Sequence, residues 1–299
     1  MDAESILMAS YCLVFLPLSI TMEDRLAALL ARFDLRAQVF HKGALCRHAT
    51  FSDEQGVGYL HVLKSGAMTV QGPGHPKDPP LLLQQPSLLF YLQPTTHRLQ
   101  PDPHDPPELV CGSIDFGAGA ENPIMTSVNG PVVIPLADQQ RLALTLELLF
   151  TEAFHHDCGQ QAALDRLCEL LVIQILRHLM EQGQVQIGLL AGLADPRLSL
   201  ALNAIHAEPA LPWTLDSLAD KALMSRARFA VNFREVVGMT PGDYLTRWRL
   251  GLAQSLLRKG KPVGLVAHEV GYSGAAALSR AFVARHGVSP RQWMRGQDR

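Results

Sequence analysis

Apolar and polar positions change rhythm along this chain. Over residues 36–135 the apolar residues come in short runs, Tyr59–Leu63, Leu81–Leu83, Leu88–Leu92 and Leu109–Cys111. Gly- and Pro-rich segments such as Gly72–Pro80 and Pro101–Pro107 divide them. Short apolar runs bounded by turn residues predict strands, and many at regular spacing predict a sandwich or barrel. Over 137–182 the spacing becomes helical. Leu142, Leu146, Leu149 and Phe150 mark one helix, and Leu164, Leu167, Leu171, Ile175 and Leu179 a second that ends at Gly183. Two such helices can pack on a barrel or form a seam between two copies. The pattern leaves both open, and a homodimer through 137–183 is the expectation carried forward. Gly183–Pro196 reads as a connection, and everything beyond it reads helical. The predicted fold class is α+β: a β-barrel with two following helices over 22–183, a linker over 184–196, and an all-α domain over 197–299.

Residues 1–21 stand apart. Ile6–Ile20 is an almost unbroken apolar run, short for a membrane span, and Asp2 and Glu4 stand where a signal peptide carries positive charge. Met22 then opens an amphipathic segment with Leu26, Leu29, Leu30 and Phe33 on one face. Met22 is therefore read as the natural start, with 1–21 contributed by an upstream start codon. A membrane anchor is the alternative. The expectation is a cytoplasmic protein with no membrane association.

The C-terminal domain contains a repeat. Ser225–Phe233 followed by Gly238-Met239-Thr240-Pro241 recurs forty-nine residues later as Leu278–Phe282 followed by Gly287-Val288-Ser289-Pro290. Upstream of each copy lies a small helix with an alanine at its core, Leu218–Ala222 and Val266–Val270, running into a short turn at Leu223-Met224 and Gly271-Tyr272. Helix, tight turn and second helix, twice over, is a double helix-turn-helix. Thr214 and Ser225 stand where hydroxyls cap the helices that follow. With Phe229, Phe233 and Val236 inward, the first recognition helix turns Ala227, Ala230, Val231 and Arg234 outward. With Leu278 and Phe282 inward, the second presents Ala276, Ser279, Arg280 and Val283. Small residues admit close approach to base edges, and Arg280 can read guanine bidentately. Arg226, Arg228, Arg234 and Arg285 suit phosphates, which fix register and carry little sequence information.

Charge agrees with this division. The whole chain carries a net −2, yet residues 195–299 hold 15 Lys and Arg against 8 Asp and Glu, a net +7, leaving −9 for the remainder. A basic module on an acidic one fits a DNA-binding unit attached to a sensing or pairing unit.

Trp213–Arg295 resembles the C-terminal domain of the AraC/XylS family of bacterial regulators. The matching signatures are Leu218-Ala219, Met224-Ser225-Arg226, Phe229, Phe233-Arg234, Gly238–Pro241, Tyr244-Leu245 and Arg249. In the second motif they are Val270-Gly271-Tyr272, Ser279–Phe282 and Gly287–Pro290. Gly274 stands where the family often has a capping Ser or Asp, and Leu278 where it usually has Phe. The resemblance implies a sequence-specific transcriptional activator that binds double-stranded promoter DNA and contacts RNA polymerase.

Region 36–135 resembles the cupin barrels of one AraC subgroup, through Leu60–Leu63 with Gly66, Thr96–Leu99, Leu109–Gly112 and Asn122–Ile124. Gln85-Pro86 replaces the Gly-Asp often found before the second histidine strand. The paired-histidine and glutamate motif of enzymatic cupins is absent, and the chain is read as a non-enzyme. Four residues are weighed together: Cys46, His61, His97 and Cys111. Two thiolates and two imidazoles make a tetrahedral set for zinc. The alternative is two small buried apolar cysteines and two hydrogen-bonded histidines. The nearest subgroup is the reactive-chlorine-responsive activators, which share an early barrel Cys, a central His, and a His followed fourteen residues on by Cys-Gly, here His97 and Cys111-Gly112. That likeness implies Cys46 and Cys111 as oxidant sensors, with zinc as the implied metal. Cys158 and Cys168 read as packing residues, His155-His156 as a solvated helix end, and His75 and His104 as loop residues. A barrel binding a small organic effector, with incidental cysteines, is the competing reading.

Overall fold

The computed structural model describes residues 24–297 except 73–79, 118–121, 129, 138, 156, 184 and 186. Met22 and the apolar run before it lie outside the described residues, as does His75.

The chain opens with a short helix, α1 (Ala27–Arg32), whose apolar stripe Leu26, Leu29 and Phe33 is buried. Among the described residues nine strands follow: β1 (Arg36–Ala44), β2 (Ala49–Phe51), β3 (Gly58–Ser65), β4 (Met68–Gln71), β5 (Leu81–Leu83), β6 (Ser87–Tyr91), β7 (His97–Pro101), β8 (Glu108–Asp115) and β9 (Pro131–Pro135). They form two antiparallel sheets, one ordered β1-β8-β3-β6-β9 and the other β2-β7-β4-β5. The expected barrel is thus two facing sheets that do not close on each other. β3 and β6 are buried along nearly their whole length because both faces of their sheet are covered. Tyr59, Leu63, Leu89 and Cys111 face the second sheet. Leu60, Val62, Leu88 and Val110 face the helices behind. Unbroken apolar runs, rather than alternation, follow from that double burial.

Helices α2 (Gln140–Phe154) and α3 (Gln160–Glu181) lie on the outer face of the larger sheet. α3 is pinned to β1 by polar contacts: Val39 N–H donates to Asp165 at 2.8 Å, and Gln161 donates to the Val39 carbonyl at 2.8 Å.

The segment expected to be a linker contains helix α4 (Leu189–Ala194), with Leu189, Leu190 and Leu193 fully buried. Gly188 enters it at φ +126°, and its N–H donates to the Val236 carbonyl at 2.9 Å. The Gly183 and Pro196 punctuation marked the ends of this segment, but its apolar residues make it part of the core. Beyond it come α5 (Leu198–Ala207), α6 (Leu215–Lys221), α7 (Arg226–Val237), α8 (Pro241–Arg258), α9 (Val263–Glu269), α10 (Ala275–His286) and α11 (Pro290–Gln297).

One continuous core runs from Leu26 through the larger sheet, α2–α5 and the first helix-turn-helix to Trp248 on α8. The second helix-turn-helix has its own core around Val266, Val270, Leu278 and Phe282, closed by Leu250, Leu252 and Leu257 from the far half of α8. α8 is therefore the rod on which both units are built. Thr240 caps it by accepting from Asp243 N–H, and Pro241 starts it. Among the described residues no helix is long and apolar enough to cross a membrane.

Candidate functional site

The two helix-turn-helix units repeat each other in backbone detail. The turn of the first is Leu223, at φ +53°, the single non-glycine residue with positive φ among those described. The second unit places Gly271 there, at φ +88°. The same hydrogen bond closes each turn, Met224 N–H to Ala219 O at 3.0 Å and Tyr272 N–H to Ala267 O at 2.8 Å. Both recognition helices end on a left-handed glycine, Gly238 and Gly287. The copies differ at the helix start. Ser225 is the N-cap of α7, whereas Gly274 begins α10 one residue further from its turn. Thr214 caps α6 as expected, through a reciprocal pair with Ser217. Ser225 has the extended N-cap backbone, but its hydroxyl accepts no capping bond.

The expected reading faces are outward. On α7, Phe229, Phe233 and Val237 are buried and Val236 is half-buried, which leaves Arg226, Ala227, Arg228, Val231 and Arg234 exposed and Ala230 half-buried. On α10, Leu278 and Phe282 are buried, Ala276, Arg280 and Val283 exposed, and Ser279 half-buried. Arg226 lies 3.6 Å from Asp216. Arg249 braces the frame from α8, donating to the Pro209 and Leu211 carbonyls at 2.8 Å each.

The second candidate site lies between the sheets. β8 places Cys111 opposite His41 on β1 and opposite His61 on β3, so the three side chains share a face. From the other sheet His97 meets His61, Nε2 to Nε2, at 2.8 Å. The Thr95 carbonyl, 2.7 Å from His97 Nδ1, fixes the proton there. His97 Nε2 is then the acceptor and His61 Nε2 the donor, which leaves the buried His61 Nδ1 as a bare lone pair with no partner among the described residues. Both rings are neutral. Burial drives His61 well below the ordinary histidine value, reinforced by His97 and His41, and burial takes His97 down to about 4. Tyr91 stacks on His97 at 4.0 Å, and Phe51 packs against both rings.

The four residues expected to share a site divide. His61 and His97 touch, Cys111 is buried in register with His61, and Cys46, just beyond β1, is exposed. Among the described residues no group of three or more His, Cys, Asp or Glu is placed to hold a metal ion. The donor set as arranged does not fit zinc. Burial also raises the Cys111 thiol far above its ordinary value. Cys168 is buried in the core, as expected, whereas Cys158 is exposed. The sequence reading missed His41. Strict alternation along β1 would put His41 on the face of Val39, and it is the register shift between Val39 and His41 that brings it opposite Cys111.

Two known families match successive parts of the chain. The family described as Cupin matches residues 24–181, and that described as Helix-turn-helix domain matches residues 218–296. A putative AraC-like transcription regulator of Streptomyces lividans is 30% identical, over 90% of this chain and 96% of its own length. The RCS-specific HTH-type transcriptional activator RclR of Escherichia coli K12 is 29% identical, over 80% of this chain and 86% of its own. Among solved structures, the DNA-binding domain of AdpA in complex with a target DNA is 29% identical, covering 34% of this chain and 92% of that one, with a TM-score of 0.32.

Proposed function

We infer that this chain, which belongs to the family of AraC-like transcription regulators, is an oxidant-responsive activator whose signal enters through the cysteines of the sandwich. The observation that carries this reading is the register that sets Cys111 beside the His61–His97 pair while Cys46 stays exposed. The relative named as an RCS-specific activator supports it.

The two cysteines differ in access, and this orders the chemistry. Cys46 meets an oxidant first. Its thiol and hypochlorous acid give a sulfenyl chloride and water. A second thiol then displaces chloride, forming a disulfide and releasing hydrogen chloride. Cys111, buried and held protonated, is the resolving partner once the sheets part. Zinc on Cys46, His61, His97 and Cys111 would require the histidine hydrogen bond to break and Cys46 to turn inward, so the reading runs through the thiols alone. Joining them would disturb the sheet that backs the shared core, and through it the first helix-turn-helix.

The same reading has α7 and α10 in adjacent major grooves and RNA polymerase as the contact through which transcription rises. It also has the protein working as a homodimer. Leu144 and Leu148, one turn apart on α2, are 68% and 48% exposed, which suits a seam with a second copy. Leu148→Asp is expected to shift the full-length protein to monomer in sedimentation.

The deciding experiment compares Cys46→Ser and Cys111→Ser with the unmodified chain, reading promoter output with and without hypochlorite and DNA affinity in parallel. Loss of induction in both variants, with affinity retained, is the expected result. Full induction in Cys111→Ser would remove the thiol mechanism and favour a small organic effector.

A further inference from the structure

Helix α7 stands as a ridge between two grooves, and Val231 lines both. One groove, of about 480 Å³, follows the Ala230–Arg234 flank towards Thr240 and Leu245. The other, of about 790 Å³, follows the Ala227–Arg228 flank. Its far wall lies outside the helix-turn-helix: it is the Asp195-Pro196-Arg197 turn that begins α5.

A helix lying in the major groove has a sugar–phosphate strand along each flank, and phosphates there are held mainly by Arg and Lys. Arg197 and Arg228 line the larger groove, are exposed, and have no ion-pair partner among the described residues. Two acids share it. The Asp195 carboxylate is committed to its own helix, accepting from the N–H groups of Arg197 and Leu198 at 2.8 Å each. Glu235 is two turns along α7 from Ala227, about 12 Å at 1.5 Å per residue. The cationic part of the groove is thus its N-terminal half, where a recognition helix meets DNA.

We propose that this groove seats one sugar–phosphate strand of the operator and that Arg197 is a phosphate contact of the first reading unit. The inference rests on α7 entering the major groove and adds a residue from outside the repeated motif. Because Arg197 sits three residues beyond α4, on the turn that joins α4 to α5 within the shared core, its placement also ties DNA affinity to the position of the sandwich.

The test uses the full-length protein and a duplex it selects from a random pool, with an unrelated duplex as comparison. Dissociation constants are measured across a salt series for the unmodified chain, Arg197→Ala, Arg197→Lys and Val231→Glu. Arg197→Ala is expected to weaken both duplexes by the same factor and to make the slope of log K against log salt shallower by about one. Arg197→Lys is expected to restore that slope, and Val231→Glu to abolish the preference for the selected duplex. An unchanged slope in Arg197→Ala with preference lost in Val231→Glu would overturn the inference and leave the helix placement standing. Preference retained in Val231→Glu would overturn the placement itself, and the Arg197 contact with it.

Discussion

Phe33 meets Trp248 edge to face, with ring centroids 5.0 Å apart and planes at 89°. Phe33 closes the first helix of the sandwich domain, and Trp248 sits midway along the rod that joins the two reading units. Trp248 stacks in turn on His206 at 4.0 Å, and His206 Nε2 lies 2.6 Å from the Tyr244 hydroxyl. Polar ties flank the rings: Arg25 donates to the Leu193 and Ala194 carbonyls, Lys259 pairs with Asp34 at 2.8 Å, and Arg258 donates to the Gly117 carbonyl. The sandwich and the first reading unit are mechanically one body.

Removing that ring should be felt on both sides. Phe33→Ala deletes a fully buried aromatic and is expected to cost about 3–5 kcal/mol. Denaturant unfolding followed by probes in the sandwich and on α7 should give one common, lowered midpoint. Two separated transitions, with α7 unaffected, would contradict a shared core.

Acid should loosen this region through His206 and the space between the sheets through His97. Burial holds His206 at about 3 and His97 at about 4, whereas both titrate near 6.5 once unfolded. The unfolded chain therefore binds more protons below about pH 6.5. Stability is full above that pH and drains as pH falls, towards 4 for His97 and 3 for His206, by up to about 1.4 kcal/mol per pH unit per group. His97→Gln should flatten the upper part of this profile. Equal unfolding midpoints at pH 7 and pH 5 would refute the assignment.

Two glycines with similar backbones offer an internal control. Gly66 (φ +81°) has no room for a methyl, since a Cβ there would lie 2.5 Å from the Pro106 carbonyl oxygen and 2.7 Å from Pro107 Cα. Gly130 (φ +80°) has nothing within 4 Å among the described residues. Gly130→Ala should cost only the left-handed penalty of about 1–2 kcal/mol, and Gly66→Ala clearly more. Thermal midpoints of the pair decide it.

The second reading unit should fail alone. Phe282→Ala empties the centre of its separate core and is expected to cost that unit about 3–5 kcal/mol. Footprinting should then retain protection at the site of α7 and lose it at that of α10. Simultaneous loss of both would mean the two cores are not independent.

The DNA-binding half was largely legible in the sequence because it is local. Its turns, caps and buried stripes are set by residues a few positions apart, and the repeat states them twice. The short apolar runs likewise marked the strands. What escaped was non-local. Whether the sheets close, whether Cys46 faces inward and whether His41 joins Cys111 depend on register across the sheet, and one shift in β1 changes the parity. The connection over 184–196 misled because its glycines and proline punctuate a segment whose leucines only find a purpose against α5 and α7. Leu223 shows the opposite bias: nothing about a leucine announces a left-handed turn, and only its alignment with Gly271 points there.

The division of the cores also constrains how the protein is made. Leu26 and Phe33 leave the ribosome early, yet the cluster they belong to is sealed by Trp248, late in synthesis. A nascent chain must therefore leave the Leu26–Phe33 stripe of α1 open until α5 and then α8 are translated, although α2 and α3 cover the larger sheet sooner. The last reading unit, with its own small core, completes afterwards without reopening what came before. Chains released early, before α8 is complete, would display that apolar stripe and be marked for aggregation or degradation, so a lone sandwich domain is not a product the cell would be expected to accumulate.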